Sequence, residues 1–331
     1  MYHASKVLTG VCELHRQTRV DLHLRLPEYP APASTALSID VDGRRAVIDL
    51  SDSSRTFSDV YMRNCDIYFK RGYYAPDIPA KFASKVYPYG LNYACASRRS
   101  LARVLAFGLR HWRIRRKQLV DLLRNVYRFA SLSDPRKFEY PATLPAVPLV
   151  HFQARLWHPH EVYPDDPEEV NQRRCRLVRV LRKELGNRFA GGLVPTDLAL
   201  QRYPELITSL PVAQRKYLAA TKAMLVGIYT RGLHHSTAFK MPEYMASSKC
   251  VVSEPIRNAA PVPLVEGRNY LRFSTVDQCV EQCVRLLEDR TRSEEMRWQN
   301  WKYYEENVRA DAHVLRLLSA VRSFCGLQSA S

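Results

Sequence analysis

The chain has 331 residues, of which 46% are apolar, and it carries a formal net charge of +17 at pH 7. This length and apolar fraction exclude a disordered chain and can fill the cores of two ordinary domains. Its eight cysteines form no CxxC pair, which argues against a disulfide framework and predicts reduced, mostly buried thiols.

The first third of the chain alternates helical and strand-like segments. Apolar spacing predicts a helix over Val7–Arg16, and alternating or continuous apolar residues predict strands over Val20–Leu26, Arg45–Leu50 and Cys65–Lys70. A rhythm of this kind predicts a small parallel α/β layer.

The next segment carries more than half of the net charge. Between Arg98 and Arg128 there are ten Lys or Arg residues and one acid, a balance of +9. Within it, Leu101–Phe129 has the spacing of one or two basic amphipathic helices. Such helices suit an anionic membrane surface, and a solvated helical hairpin is the alternative. The segment lacks zinc-finger spacing and stacking aromatic pairs, so we predict no nucleic-acid partner, with nucleic-acid binding through Arg98–Arg128 as the rival hypothesis.

Two further features concern location and domain boundaries. The start Met1–Lys6 has no apolar stretch of a signal peptide, so we expect a cytoplasmic protein, with peripheral membrane attachment if the basic segment binds lipid. Four prolines between Asp134 and Pro148 predict an interdomain linker, placed at residues 141–147.

The remaining chain alternates strands and helices, which makes a doubly wound parallel sheet the expected fold. The predicted strands are Leu149–Leu156, Arg188–Leu193, Met224–Tyr229 and Cys250–Ser253, and the predicted helices are Glu168–Leu185, Gln214–Lys222 and one with Pro242 in its first turn.

In such a sheet, ligands bind outside the carboxyl ends of the strands. The loop Thr230–Thr237 follows a predicted strand and leads into a helix. Its amides, together with Arg231 and Lys240, suit a diphosphate.

At this point the sequence resembles a known family. The run Ser236–Pro255 resembles the "K-x-x-E-Y/A-M/L-A-x-G-K-P-V-V" donor-site motif of the glycosyltransferase group 1 superfamily. Segments Glu266–Phe273, Cys283–Asp289 and Met296–Tyr304 are similar to the tail of that superfamily. The likeness covers about residues 148–325.

The resemblance implies an α/β, GT-B-like fold with two Rossmann-like domains, the N-terminal one reduced. Residues 1–140 would form the acceptor-side domain, and residues 148–331 would bind the nucleotide sugar and include a closing helix. Sugar transfer would need neither a metal ion nor a cofactor, because helix dipole and cations neutralise the leaving diphosphate.

The resemblance also implies roles for individual residues. Glu243 takes the place of the glutamate that binds both ribose hydroxyls, and Arg155 matches a strand-end cation on the diphosphate. Retaining members carry a second glutamate eight positions before the first, where this chain has His235. The implied donor-binding residues are Glu243, Lys240, Arg231, Gly232 and Arg155, and the candidate catalytic side chains are His235 and Asp49.

The implied function is a hexosyltransferase-like glycosyltransferase, which moves a sugar from a nucleotide sugar to an unknown acceptor, as in cell envelope polysaccharide synthesis. A non-catalytic nucleotide-sugar-binding or scaffold protein of the same fold is the alternative.

Overall fold

The computed structural model describes residues 2–25, 35–110, 116–158 and 167–328. The chain divides into two compact units, each built on its own β-sheet, so the predicted α/β class is confirmed. The N-terminal unit consists of Met1–Arg136, Asn258–Val262 and Glu305–Ser331, and the C-terminal unit consists of Lys137–Arg257 and Pro263–Tyr304.

The N-terminal unit contains a mixed sheet of four strands in the order β1–β2–β3–β4. A tight turn joins β1 to β2, in which Asp42 and Gly43 have φ of 49° and 80°, as a two-residue hairpin requires. These two strands are antiparallel, whereas β2, β3 and β4 are parallel. The expected parallel layer is therefore wrong at β1, because the Asp42–Gly43 turn reverses the chain between β1 and β2. The strands are Ala36–Val41 (β1), Arg44–Asp49 (β2), Ile67–Lys70 (β3) and Val86–Pro88 (β4).

In the part of the chain that the structure describes, four α-helices precede the C-terminal unit. The first begins near the start of the chain, as predicted, and the basic segment forms two helices with residues 111–115 outside the described residues. The helices are Ser5–Arg16 (α1), Asp59–Arg63 (α2), Arg98–Arg110 (α3) and Arg116–Ala130 (α4).

The strand predicted over Val20–Leu26 is wrong for residues 20–25, which have no strand structure, and residue 26 lies outside the described residues. Residues 21–25 alternate between exposed and half-buried. An alternating apolar and polar pattern separates the two faces of an extended segment. A strand also needs a neighbouring strand to form hydrogen bonds with, and the pattern does not provide one.

The C-terminal unit contains a parallel sheet in the order β6–β5–β7–β8–β9. The chain passes from β5 to β6 on one side and then to β7 on the other side of β5. The topological switch point therefore lies between β5 and β7. The strands are Val147–Ala154 (β5), Phe189–Leu193 (β6), Met224–Tyr229 (β7), Cys250–Ser253 (β8) and Leu271–Arg272 (β9).

Helices cover both faces of this sheet, which confirms the doubly wound prediction. Val150 and Val226 lie in one core with Leu177 of α5 and Cys279 of α9. On the other face, the Tyr244 ring of α8 lies so close to Gly227 that a Cβ there would be 2.9 Å from it. The helices are Pro167–Leu185 (α5), Asp197–Arg202 (α6), Gln214–Thr221 (α7), Lys240–Ala246 (α8), Val276–Glu288 (α9) and Arg290–Tyr303 (α10).

The last helix, Ala310–Gln328 (α11), belongs to the N-terminal unit, where its Val314 and Leu317 pack in one core with Val7 of α1. The seven described cysteines are buried as free thiols, as predicted. No helix in the described part of the chain combines the length and apolar character needed to cross a bilayer.

Candidate nucleotide-sugar site at the switch point

One buried guanidinium connects the ends of the two strands at the switch point. Arg155 follows β5, and Arg231 follows β7 after one residue. Arg174 of α5 donates from Nη1 to the carbonyl oxygen of Arg155 at 2.5 Å and from Nη2 to that of Arg231 at 3.0 Å. Two predicted donor-site residues are therefore brought together at the carboxyl edge of the sheet.

Arg174 is only 6% exposed. Burial lowers its pKa to about 10, and the nearby Glu254 carboxylate counteracts this. The guanidinium is therefore charged at neutral pH. Its two carbonyl partners satisfy part of its hydrogen-bonding capacity without neutralising that charge.

A buried carboxylate at the end of β8 closes the same site. Glu254 is 2% exposed, and it accepts the backbone N–H of Arg231 at 2.7 Å. Its other oxygen lies 2.9 Å from Nη1 of Arg173. Arg231 also lies 3.8 Å from the carboxylate of Glu169. Three arginines thus face two carboxylates, which leaves the site with an excess of positive charge.

Two N–H groups in this site have no acceptor among the described residues: Nε of Arg174 and Nη1 of Arg231, which are both buried. Buried donors in folded proteins are nearly always paired, and an unpaired one costs about 1–3 kcal/mol. A buried water or a bound anion would supply the missing acceptors. The cavity beside them is lined by Glu169, Val170, Arg173, Arg174, Thr230, Arg231 and Glu254.

The loop that follows β7 is held by its own hydrogen bonds. The N–H of Gly232 donates to the carbonyl of Ser236 at 3.0 Å, and the N–H of Ala238 donates to the hydroxyl of Tyr229 at 3.1 Å. A Cβ on Gly232 would lie 2.6 Å from the hydroxyl of Ser236. His235 is exposed on this loop, with a φ of 55°. The hydrogen bonds within the loop therefore hold its backbone folded back on itself, with His235 exposed to solvent.

The motif glutamate lies in the first turn of α8 with a cation beside it. Lys240 places Nζ 3.0 Å from Oε2 of Glu243 and 3.6 Å from the centre of the Tyr217 ring. The Glu243 side chain is 11% exposed and that of Lys240 is 33% exposed. Burial raises the pKa of Tyr217 well above its usual value, and the Glu243 charge adds to this. The phenol therefore stays neutral beside the carboxylate.

The side chains of two other predicted residues, Arg155 and Asp49, have different contacts. The Arg155 side chain is exposed, and its guanidinium lies 4.7 Å from the Trp157 ring centre. Asp49 belongs to the N-terminal unit, where its buried carboxylate accepts from Lys70 at 2.7 Å and from Tyr68 at 2.8 Å. Within the described residues, no group of His, Cys, Asp and Glu could hold a metal ion.

Three residues of the candidate site, Arg173, Arg174 and Glu254, were not predicted from the sequence, although two signals pointed to them. Glu254 directly follows a predicted buried strand, which is where ligand-binding residues collect. Arg174 lies on the apolar stripe of α5, four residues after Val170 and three before Leu177. A cation at an inward-facing position of a helix indicates a specific partner.

No protein-family model and no curated protein matches the chain. Among solved structures, the chain is similar to the C-terminal domain of a glycosyl transferase group 1 family protein, LpcC, from Francisella tularensis. The identity is 13% and the TM-score 0.37, over 52% of this chain and 96% of that domain.

Two longer structures cover more of the chain. A glycosyltransferase from Rickettsia africae is 11% identical, and a UDP-forming α,α-trehalose-phosphate synthase from Burkholderia vietnamiensis is 14% identical. Each has a TM-score of 0.41, over 81% of this chain and 65% of its own length.

Proposed function

We propose that this protein is a glycosyltransferase whose C-terminal unit binds a nucleotide sugar at the switch point between β5 and β7. The observation that carries the proposal is the pair of buried, unsatisfied N–H groups on Arg174 and Arg231. They lie where a doubly wound sheet binds ligands, next to the segment that resembles a donor-site motif. A diphosphate has both the charge and the acceptor oxygens that these groups lack.

Each predicted donor-site residue has a part in this proposal. The side chains of Arg155 and Arg231 bind the diphosphate, and Gly232, whose own N–H donates to Ser236, lets the loop fold back beside them. Glu243 accepts from the two ribose hydroxyls, and Lys240 holds its carboxylate in place. A carboxylate has about four acceptor sites, so the bond from Lys240 leaves room for both hydroxyls.

Two side chains, Asp49 and His235, are candidates for the catalytic group. Of the two candidates, Asp49 belongs to the N-terminal unit, whereas His235 lies on the loop beside the proposed diphosphate site. We therefore propose that His235 contacts the sugar. Transfer proceeds without a metal ion, because Arg174, Arg231 and Arg155 stabilise the charge that develops on the leaving diphosphate.

Nucleotide binding tests the proposal most simply. We expect UDP, GDP or CDP to raise the unfolding temperature in the presence of EDTA. A nucleotide at about 100 times its Kd adds about 2.7 kcal/mol to the free energy of unfolding. No shift with any of the three nucleotides contradicts the proposal.

Turnover distinguishes the enzyme from a binding protein of the same fold. A chain that binds the nucleoside diphosphate and also hydrolyses or transfers the matching nucleotide sugar is a glycosyltransferase. A chain that binds but never releases the diphosphate from the sugar nucleotide is the non-catalytic alternative.

A further inference from the structure

One helix of the N-terminal unit exposes only apolar and cationic side chains. None of its exposed residues is acidic or uncharged polar, and the two leucines are four residues apart, which places them on one line along the helix. The exposed residues of α3 are Arg98, Arg99, Ala102, Leu105, Ala106, Leu109 and Arg110.

The next helix repeats this composition. In α4, Val120, Leu123 and Tyr127 follow the spacing i, i+3 and i+7, so they share one face. They are 57%, 58% and 77% exposed. Among the side chains of α4 that the structure describes, the exposed ones are Val120, Leu123, Arg124, Tyr127, Arg128 and Ala130.

These two helices, which pack against each other, hold a large share of the exposed apolar residues. Fourteen large apolar side chains are exposed in the described part of the chain, and five of them lie between Leu105 and Tyr127. Single exposed apolar residues are ordinary, but a cluster of them indicates a binding surface. We call the exposed faces of α3 and α4 the basic apolar surface.

The positive charge of Arg98–Arg128 indicates which kind of partner would bind the basic apolar surface. A second copy of the chain would place the same patch against itself and bring a charge of +9 against +9. A nucleic acid offers phosphates to the arginines but leaves aliphatic side chains such as Leu109 and Leu123 without an apolar partner. An anionic lipid bilayer provides both, since the headgroups attract arginine and the acyl region accepts leucine, valine and tyrosine.

We propose that the basic apolar surface docks on an anionic lipid bilayer, with the apolar side chains inserted at the boundary between headgroups and acyl chains. The arginines that flank them then lie at the level of the lipid phosphates, as cations of interfacial helices do. This proposal does not depend on the donor site.

Vesicle sedimentation of the full chain tests the proposal. We expect binding to vesicles that contain phosphatidylglycerol and much weaker binding to phosphatidylcholine alone. Binding should decrease from about 0.1 M to about 1 M salt, because the screening length falls from ~10 Å to ~3 Å. Equal binding to both vesicles, or no binding to either, overturns the proposal.

Substitutions separate insertion from simple charge attraction. Leu109→Ser and Leu123→Ser each remove an inserted side chain and should weaken binding about tenfold. Arg110→Gln should weaken it about fivefold, the contribution of one cation near an anionic surface. Leu200→Ser and Arg290→Gln are matched controls, because these residues are exposed in the C-terminal unit, and they should have no effect. If the serine variants bind as well as the wild type, insertion is wrong.

A fluorescent reporter gives a second readout of insertion. Tyr127→Trp places an indole at the most exposed apolar position of the surface. On addition of phosphatidylglycerol vesicles, its emission, after subtraction of the wild-type signal, should shift to shorter wavelength. An unshifted emission from bound protein overturns the proposal, as does binding to a random RNA that is tighter than binding to the vesicles.

Discussion

The carboxylate of Glu254 accepts the backbone N–H of Arg231 at 2.7 Å, so the residue after β8 fixes the loop that follows β7. Both residues lie at the carboxyl edge of the parallel sheet, where the proposed diphosphate site is located. The backbone position of Arg231 is set twice, because its carbonyl oxygen also accepts from Arg174. Two hydrogen bonds from other elements therefore hold the backbone of Arg231 at the site.

Substitution of Glu254 separates its two interactions. Glu254→Ala leaves the N–H of Arg231 without its acceptor and should lower the free energy of unfolding by about 1–3 kcal/mol. Glu254→Gln keeps an amide oxygen for that N–H and loses mainly the pairing with the partly exposed Arg173, so it should cost less than Glu254→Ala does. Urea unfolding measures both. Equal losses in the two variants would mean that the Arg231 contact contributes nothing.

Lysine in place of Arg174 should not support nucleoside diphosphate binding as well as arginine does. Arg174→Lys keeps the charge, but a single ammonium replaces the planar fork that reaches the carbonyls of Arg155 and Arg231. We expect nucleoside diphosphate affinity to fall about tenfold or more, since one lost charged hydrogen bond is worth about 1.5–3 kcal/mol. Arg176→Lys, an exposed position on the same helix, is the control. If both variants bind alike, Arg174 has no part in the site.

Ser248 occupies a position where the related motif has glycine. Its φ is 43°, and its hydroxyl donates to the carbonyl of Tyr140 at 2.7 Å. Ser248→Ala and Ser248→Gly both lose this hydrogen bond, but only alanine retains the backbone strain. We therefore expect the alanine variant to be less stable than the glycine variant by about 1 kcal/mol. Calorimetry of the two variants decides this, and a more stable alanine variant would contradict it.

His151 should make stability depend on pH. It is fully buried, and burial lowers its pKa well below the usual 6.5, with Lys249 and Lys240 acting in the same direction. Below pH 6.5 the unfolded chain binds a proton that the folded chain does not, so acidification destabilises the fold. Each unit by which the pH falls then lowers the free energy of unfolding by up to about 1.4 kcal/mol.

His151→Phe keeps a ring between Tyr217 and Tyr244 but cannot bind a proton. Between pH 7 and pH 5.5 we expect it to lose about 1 kcal/mol less stability than the wild type does. His313 is buried in the N-terminal unit and its pKa is lowered in the same way, so part of the acid sensitivity should remain. Parallel pH dependence of the two proteins would show that His151 does not titrate on unfolding.

Periodicity and turn residues predicted most of the C-terminal unit. The strands Met224–Tyr229 and Cys250–Ser253 have the predicted bounds, because continuous apolar runs are typical of the buried strands of a parallel sheet. The mixed N-terminal sheet was harder to predict, since β4 has only three residues and β1 pairs through a hairpin. Short strands carry too few residues for a reliable pattern.

The site was predictable only where a motif or a strand end marked it. Glu243 and Arg231 could be selected in this way. The place of Arg174 in the site rests on hydrogen bonds to two carbonyls that are far apart in sequence, and no local sequence pattern marks such contacts. The second lysine of the motif shows the converse, that a motif residue can have a structural role. Lys249 is buried and donates to the carbonyls of Thr221 and Met224, so it holds α7 against β7, a structural role that its place in the motif does not reveal.

Binding of nucleotides to Glu243→Gln tests the central proposal most directly. Glutamine keeps the shape of the side chain but loses the charged acceptor, so titration calorimetry with the nucleoside diphosphate that stabilises the wild type should show a tenfold or greater loss of affinity, about 1.4 kcal/mol or more. Glu168→Gln is the matched control, because Glu168 is also a first-turn glutamate, in α5. A 2′,3′-dideoxy nucleoside diphosphate should bind the wild type and Glu243→Gln equally weakly. If Glu243→Gln binds the normal nucleotide as tightly as the wild type and Glu168→Gln do, Glu243 does not bind ribose and the donor site lies elsewhere.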